Sequence, residues 1–165
     1  MSSTDITLLD PASIAPDADD PLVGGVMRDE VVFCLPSTPV DAVAKLMADN
    51  NITEVPVLID RRPVGFVAAS DIVEQYVEGN VEVGGSDLVR PTPTSVLARD
   101  ILRHPPLLID RDARLGEAVA AMRSQGRSTA LVMHEDSRPV GMLTVVEIAD
   151  HAARRLAAAR GNLDG

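Results

Sequence analysis

Few side chains in this chain are spaced for covalent or metal chemistry. The three histidines, His104, His134 and His151, have no ligand spacing of the H-x-x-x-H kind. No Ser, His and Asp order stands in a nucleophile-elbow context. Cys34 is the single cysteine, so an internal disulfide and a Cys-rich zinc site are both excluded. Its neighbours Phe33 and Leu35 point to a buried strand residue, and a reactive thiol needs an accessible, electropositive setting. Two short stretches remain, Gly65-Phe66-Val67-Ala68-Ala69-Ser70-Asp71 and Gly141-Met142-Leu143-Thr144-Val145-Val146-Glu147. Each puts a carboxylate six residues after a glycine, at a strand-to-helix boundary. Thr144-x-x-Glu147 reads as a helix capping box. Ser70 reads as an N-cap and Asp71 as a first-turn acid favoured by the helix dipole. Gly65 and Gly141 read as places where another backbone approaches closely. These features exclude an independent enzymatic activity as the expectation, with no catalytic residue and no metal site assigned.

Composition narrows the classes further. Hydrophobic residues make up 45% of 165 residues, enough for a core, yet aromatics are only 2%. The core must be Val, Leu, Ile, Ala and Met, and stacking platforms for nucleic-acid bases are nearly absent. The net charge is −10, half of it from five aspartates in residues 1–22, which hold no basic residue. No basic stripe fits a phosphate backbone, so no nucleic-acid partner is expected. No apolar run reaches the length of a bilayer span and no secretory pattern opens the chain. The expectation is a cytoplasmic protein without membrane contact. The helix after Glu147 carries Arg154, Arg155 and Arg160 among alanines, a pattern that reads as a solvated face.

What must position the two carboxylates is a duplication. Val40, Val43, Ala44 and Met47 recur 75 residues later as Leu115, Ala118, Val119 and Met122, each set at i, i+3, i+4, i+7. Met27-Arg28 recurs as Leu102-Arg103 and Val57-Leu58 as Val132-Met133. After one inserted residue the offset becomes 76, where Pro63-Val64-Gly65 matches Pro139-Val140-Gly141 and Ile72 matches Ile148. Each copy opens on a short lead-in helix, capped by Asp20 in one copy and Ser95 in the other. A strand follows, Val31–Leu35 or Leu107–Ile109, and then a helix capped by Thr38 or Asp112. Two strands come next, Val55–Ile59 with Gly65–Ala69 and Ala130–Met133 with Gly141–Val145. Asp60-Arg61-Arg62-Pro63 and Glu135-Asp136-Ser137-Arg138 are the turns between them. A last helix begins near Ser70 or Thr144, and Gly79 ends the first. This is α/β architecture, two tandem β-α-β-β-α repeats. Neither repeat buries enough surface alone, so the two must pack together. The divisions are a disordered acidic tail over 1–20, a first repeat over 21–79, a linker over 80–94, a second repeat with its C-terminal helix over 95–159, and a tail over 160–165.

Ile52-Thr53-Glu54-Val55-Pro56-Val57-Leu58, Pro63-Val64-Gly65-Phe66-Val67 and Ser70-Asp71-Ile72-Val73 resemble a cystathionine-β-synthase-type (CBS) domain, and the second copy resembles another. The resemblance implies a pair packed with pseudo-twofold symmetry, often a homodimer, that binds adenosine-containing ligands in clefts between the repeats and signals to a partner protein. Ligand-binding members often carry Gly-x-x-Thr/Ser-x-x-Asp between the last strand and the last helix. A carboxylate there accepts from two ribose hydroxyls, and a phosphate suits the helix N-terminus. By this resemblance the ligand contacts are Asp71, Thr144 and Glu147, with Val55 and Pro56 forming the adenine slot beside Gly65 and Gly141. Arg28, Arg103, His104 and Arg127 lie near the phosphate positions. This chain departs from the pattern at Ala68, where a hydroxyl is expected, at Glu147, where Asp is expected, and at Ala130-Leu131, which replace Val-Pro. No cofactor is required; AMP, ADP, ATP or S-adenosylmethionine would be a regulatory ligand. Two readings stay open: a stand-alone regulatory sensor of such a ligand, and a ligand-free dimeric interaction module whose helix face Ile72, Val73, Tyr76 and Val77 packs on a second copy or a partner.

Overall fold

Two helices with one pattern of buried positions anchor the computed structural model, which describes residues 20–78 and 96–161. Helix α1 (Val40–Asn50) buries Val40, Val43 and Met47. Its image, called α4 below (Leu115–Ser124), buries Leu115, Ala118 and Met122. Each ends in the same way. Asn51 and Gly126 take left-handed backbone, with φ of 53° and 61°. The next N–H reaches back to close the turn, Ile52 to Met47 O at 3.1 Å and Arg127 to Met122 O at 2.8 Å. That closure delivers Ile52 and Arg127 to equivalent places, one apolar and one charged.

Strands β1 (Glu54–Ile59) and β2 (Arg62–Ala68) follow α1 as an antiparallel hairpin, and helix α2 (Ala69–Glu78) completes the first repeat. The turn is tighter than the sequence suggests. Asp60 and Arg61 alone make it, at φ of 50° and 64°, and Arg62 already pairs with Ile59. Helix α3 (Ala98–Ile101) opens the second repeat. Then come β3 (Leu108–Asp110), α4, β4 (Thr129–His134), β5 (Asp136–Thr144) and α5 (Val145–Gly161). Strand β3 runs parallel to β4, and β4 runs antiparallel to β5. The inserted residue of the second turn is absorbed by register shifts at Val132/Met133 and Met133/His134. The expected strand Val31–Leu35 contracts to one parallel bridge, Cys34 to Val57. Phe33 and Leu35 are exposed there, so only the alternate positions Val32 and Cys34 are held in the core. Burial pushes the Cys34 thiol up to about 11, which keeps it protonated.

The lead-in segments are exchanged between the repeats. Residues 20–28 pack on the second repeat. Val23 donates to Ala113 O and Gly24 to Arg111 O, both at 2.9 Å, and Val23 and Val26 sit in a core with Ile109, Leu115, Val132 and Leu143. Residues 96–103 pack on the first repeat. There Ala98 donates to Thr38 O at 2.8 Å and Arg99 to Pro36 O at 3.0 Å, and Ala98 joins Val43, Val55, Val57 and Val67. The expected caps are reassigned by this exchange. The lead-in of the first copy is a 3-10 turn, Val23–Gly25, and Asp20 instead caps α4, accepting from Gly116 N at 3.0 Å. Thr38 does not cap α1; its hydroxyl accepts from Leu35 N at 3.0 Å, and Pro39 precedes the helix. Asp112 does not cap α4, which Arg114 precedes. Ser95, Gly79 and most of the expected linker and tails lie outside the described residues. Helix α5 runs through the expected repeat end at 159 to Gly161.

The hydroxyls of Thr53 and Ser128 lie 2.8 Å apart. These residues are repeat images of each other, so the axis relating the two repeats passes between them. The backbone crossings of the lead-ins occur twice about that axis.

Candidate functional site

Each lead-in crosses the last strand of the other repeat, and the candidate residues gather at those crossings. Arg103 and Phe66 exchange both backbone hydrogen bonds, at 3.0 and 2.9 Å; Arg28 and Met142 do the same at 2.9 and 3.0 Å. Only glycine permits this approach. A Cβ on Gly65 would lie 2.4 Å from Arg103 O, and one on Gly141 2.5 Å from Arg28 O. The glycines therefore set the backbone spacing that brings each arginine to the far repeat.

There each arginine meets a carboxylate. Asp71 is 5% exposed at the start of α2. Its Oδ2 accepts from Ala68 N at 3.1 Å, and its Oδ1 is paired with the Arg103 guanidinium. Glu147, in the first turn of α5, accepts from Arg28 Nε at 2.7 Å and from Thr144 N at 3.0 Å, and it also takes the Thr144 hydroxyl. Burial alone would raise the Glu147 carboxyl, but the Thr144 hydrogen bonds and the Arg28 guanidinium outweigh it and hold the group below its usual range. Thr144 also accepts from Val146 N at 3.2 Å, which completes a capping box. Ala68 stands in the corresponding place before α2, and Ser70 lies one residue inside that helix. The two carboxylate sites are thus images of each other, and both are occupied by an arginine of the other repeat's lead-in.

The clefts beside them differ. Beside the Phe66 crossing a partly open cavity of about 10 Å³, room for one water molecule, is lined by Glu54, Pro56, Phe66, Pro106, Leu107, Arg127, Thr129 and Leu131. Arg127 is one wall of it. Its Cζ lies 3.2 Å from the Phe66 ring centroid, its Nε is 3.2 Å from both Glu54 carboxylate oxygens, and its Nη1 donates to Pro105 O at 3.1 Å. Glu54 also accepts from Thr129 N at 3.1 Å. Thr129 Oγ1 is buried without a hydrogen-bond partner. On the other side the images of Phe66, Leu107 and Arg127 are Met142, Val32 and Ile52. These are all buried in one apolar core, and Val32 N–H points at Met142 Sδ, 3.1 Å away. That cleft is filled by hydrocarbon.

The structure separates the expected residues accordingly. Arg127 and Pro56 line the cavity, while Asp71, Arg103 and Gly65 meet at the neighbouring crossing of Arg103 over β2. Arg28, Thr144, Glu147 and Gly141 meet at the image crossing, of Arg28 over β5. Val55 is fully buried, on the core side of β1 away from the Pro56 face, and does not line the cavity. His104 is exposed. The sequence reading missed Glu54, Phe66 and Thr129. The repeat offset carried a signal for them: Glu54 corresponds to Thr129, Phe66 to Met142 and Arg127 to Ile52, three image pairs whose polarity or shape differs between copies. Among the described residues no group of three or more His, Cys, Asp or Glu could hold a metal ion, and no helix is long and apolar enough to cross a membrane.

Comparison with known proteins agrees with the duplication. The family model described as CBS domain matches residues 23–78 and again 98–154. The uncharacterized protein MK0525 of Methanopyrus kandleri is 24% identical over 127 residues, which cover 76% of this chain; the match spans 60% of the length of that relative. Among solved structures, the CBS domain pair of protein MJ0100 in complex with 5′-methylthioadenosine and S-adenosyl-L-methionine superposes with a TM-score of 0.66 at 15% identity, covering 82% of this chain and 98% of that one. CBSX2 in complex with AMP superposes at 0.62 and 21% identity, covering 81% and 96%.

Proposed function

The chain belongs to the CBS domain family, and from that premise we propose that it is a regulatory protein that binds an adenosine-containing ligand in the Asp71 cleft and reports its occupancy to a partner protein. The observation that carries this reading is the set of groups around that cleft. A buried carboxylate, Asp71, stands at a helix start. An aromatic face, Phe66, carries the Arg127 guanidinium carbon 3.2 Å from its ring centroid. A buried hydroxyl, Thr129 Oγ1, has no partner beside the cavity. Such a set suits a ribose, a planar base and a polar base edge respectively. Two solved structures of this fold, those of MJ0100 and CBSX2, hold adenosine compounds. The sealed Glu147 side takes none, so one ligand binds per chain. A cytoplasmic, non-enzymatic and homodimeric protein belongs to the same proposal.

Ligand binding moves the repeats only if the two arrangements bind it differently. The exchanged lead-ins supply the route, because Arg103 belongs to one repeat and Asp71 to the other. The test is a thermal-shift screen of nucleotide-stripped protein against AMP, ADP, ATP, S-adenosylmethionine, NAD and cyclic dinucleotides. A ligand at 100 times its Kd should raise Tm by roughly 5–10 °C. Asp71→Ala should weaken that ligand at least about tenfold by calorimetry. No rise with any compound at millimolar concentration would overturn the reading.

A second reading, a ligand-free dimeric interaction module, has its own observations. Both carboxylates are already paired, and Val73, Tyr76 and Val77 of α2 are 59%, 69% and 56% exposed. Under this reading the screen is silent and light scattering at micromolar concentration gives a dimer mass.

A further inference from the structure

Two exposed helix faces are repeat images of each other, yet they differ in size and charge. Helix α2 exposes Val73, Tyr76 and Val77. At the offset of 76 their images on α5 are Ala149, Ala152 and Ala153, also exposed and continued by exposed Leu156. Each stripe keeps the i, i+3, i+4 spacing of one helix face and points away from Ile72 or Ile148, which pack on the two cores. From Ala152 to Gly161 every residue of α5 is exposed. A helical stretch this short without tertiary packing is marginal in water, so the outer half of α5 needs a cover. Both helices start beside the axis that relates the repeats. Ala69 N donates to Thr53 O at 2.8 Å and Val145 N to Ser128 O at 3.1 Å, and the Thr53 and Ser128 hydroxyls meet there. A second copy on this surface has two symmetric ways to pack. Like helices meet, α2 on α2 and α5 on α5, or unlike helices meet, α2 of each copy on α5 of the other. We infer that two copies join head to tail, with unlike helices in contact. The inference rests on the reading of this chain as a homodimer and names the surfaces that make it.

Size is the first ground. Like pairing sets Val73, Tyr76 and Val77 against the same three residues of the second copy, and alanines against alanines. One contact is then crowded and the other thin. Unlike pairing sets bulky side chains against small ones at both contacts, which is what ridges packing into grooves require. Charge is the second ground. The sequence of α2 holds Asp71, Glu74 and Glu78 and no basic residue. Asp71 is already paired with Arg103, whereas Glu74 is exposed beside the stripe. After Asp150, α5 holds Arg154, Arg155 and Arg160 and no acid. Like pairing brings acid to acid and arginine to arginine, a juxtaposition that costs affinity and rejects that arrangement. Unlike pairing brings acid to arginine, twice. Length is the third ground. Helix α5 runs past Arg154, the image of Glu78 at the end of α2, to Gly161, about 10 Å further. In the like pairing the two arginine-bearing ends share one contact. In the unlike pairing they are kept apart, one at each contact.

Sedimentation of the full chain at low ionic strength tests the pairing, using the natural protein, Glu74→Arg, Arg155→Glu with Arg160→Glu, and all three changes combined. Arg154 is left alone because it pairs with Asp150 of its own helix at 3.0 Å. The three changed side chains are exposed, and circular dichroism checks that each variant keeps its helices. Glu74→Arg and the paired arginine change should each weaken the dimer at least about fivefold, since each sets like charges together at two symmetric contacts. The combined variant should return to within about threefold of the natural protein. Ala152→Tyr is a second probe that moves no charge. It should weaken the unlike pairing by crowding Tyr76 of the second copy, and it would strengthen the like pairing, where it faces only its own copy. Equal dimer affinity across the charge series, no recovery in the combined variant, or a tighter dimer with Ala152→Tyr would overturn the unlike pairing and leave the homodimer standing. A natural protein that sediments as a monomer at micromolar concentration would overturn the homodimer and the pairing with it.

Discussion

At the scale of single residues, the molecule places charge where hydrophobic burial would be easier. The Arg127–Glu54 pair is the plainest case, since Ile52 and Thr129 occupy the image positions without an ion pair. Removing one partner of a buried pair leaves the other charge desolvated, a loss of about 3–5 kcal/mol. Glu54→Thr and Arg127→Ile should each destabilise on that scale. The double variant should recover most of the loss, because the image positions Ile52 and Thr129 are already buried without an ion pair. Urea unfolding of all four proteins measures the coupling. Glu147 makes a different prediction. Its folded-state carboxyl is held below the ordinary range, so the ionised form favours the fold. That contribution is complete above the unfolded value, about 4.3, and is lost as pH falls through the lower folded value. Glu147→Gln should therefore be less stable than the natural protein by a constant margin from pH 7 to pH 5. The margin should shrink below about pH 4, and urea midpoints across that range would show it.

At the scale of elements, the sequence disclosed the parts better than their connections. The four helical positions repeated at an offset of 75 identified α1 and α4, because a buried helix face repeats every three or four residues whatever lies across from it. The hairpins were legible from apolar runs around polar turns. The caps were not. Asp20 looks like a cap for the nearest downstream turn, and only the exchanged lead-in brings it to Gly116, 96 residues away. The strand over Val31–Leu35 was overextended for a related reason: apolar residues on both faces suggest a fully paired strand, yet Cys34 alone forms a bridge. The candidate carboxylates and the two arginines were legible from the motif and the repeat; that each arginine sits on a carboxylate was not, since the pairing spans 32 and 119 residues and depends on two glycines. Gly141→Ala tests that dependence. Its Cβ would stand 2.5 Å from Arg28 O, a backbone atom that cannot turn aside, so the crossing must widen. The expected loss is about 1–3 kcal/mol, with Arg28 drawn away from Glu147. Chemical denaturation gives the first, and a smaller acid dependence than the natural protein gives the second.

At the scale of the whole molecule, the exchange of lead-ins makes two small repeats into one cooperative structure. A β-α-β-β-α unit of this size closes little core by itself. Here each core borrows from the other half: Val23 and Val26 from the first lead-in, Ala98 from the second. The consequence is a reversal of the usual link between sequence position and damage. Deleting residues through Arg28 removes Val23 and Val26 from the distant core and strips the Asp20 cap from α4. It also leaves Met142 without the backbone partner it has in Arg28. The first repeat keeps Val43, Val55, Val57, Val67 and Ala98 together. Amide hydrogen exchange on the truncated chain should therefore show protection lost first in α4 and β3–β5, far along the sequence from the cut, while β1 and β2 retain more of theirs. If the loss instead begins in α1 and β1, next to the cut, the cores are divided by repeat and the exchange does not carry the stability of the fold. In the proposed function, the same exchange is what gives a ligand in the Asp71 cleft its leverage. A change at Arg103 acts on a segment that starts the second repeat while seated in the first, so local displacement of one guanidinium bears on the angle between the halves.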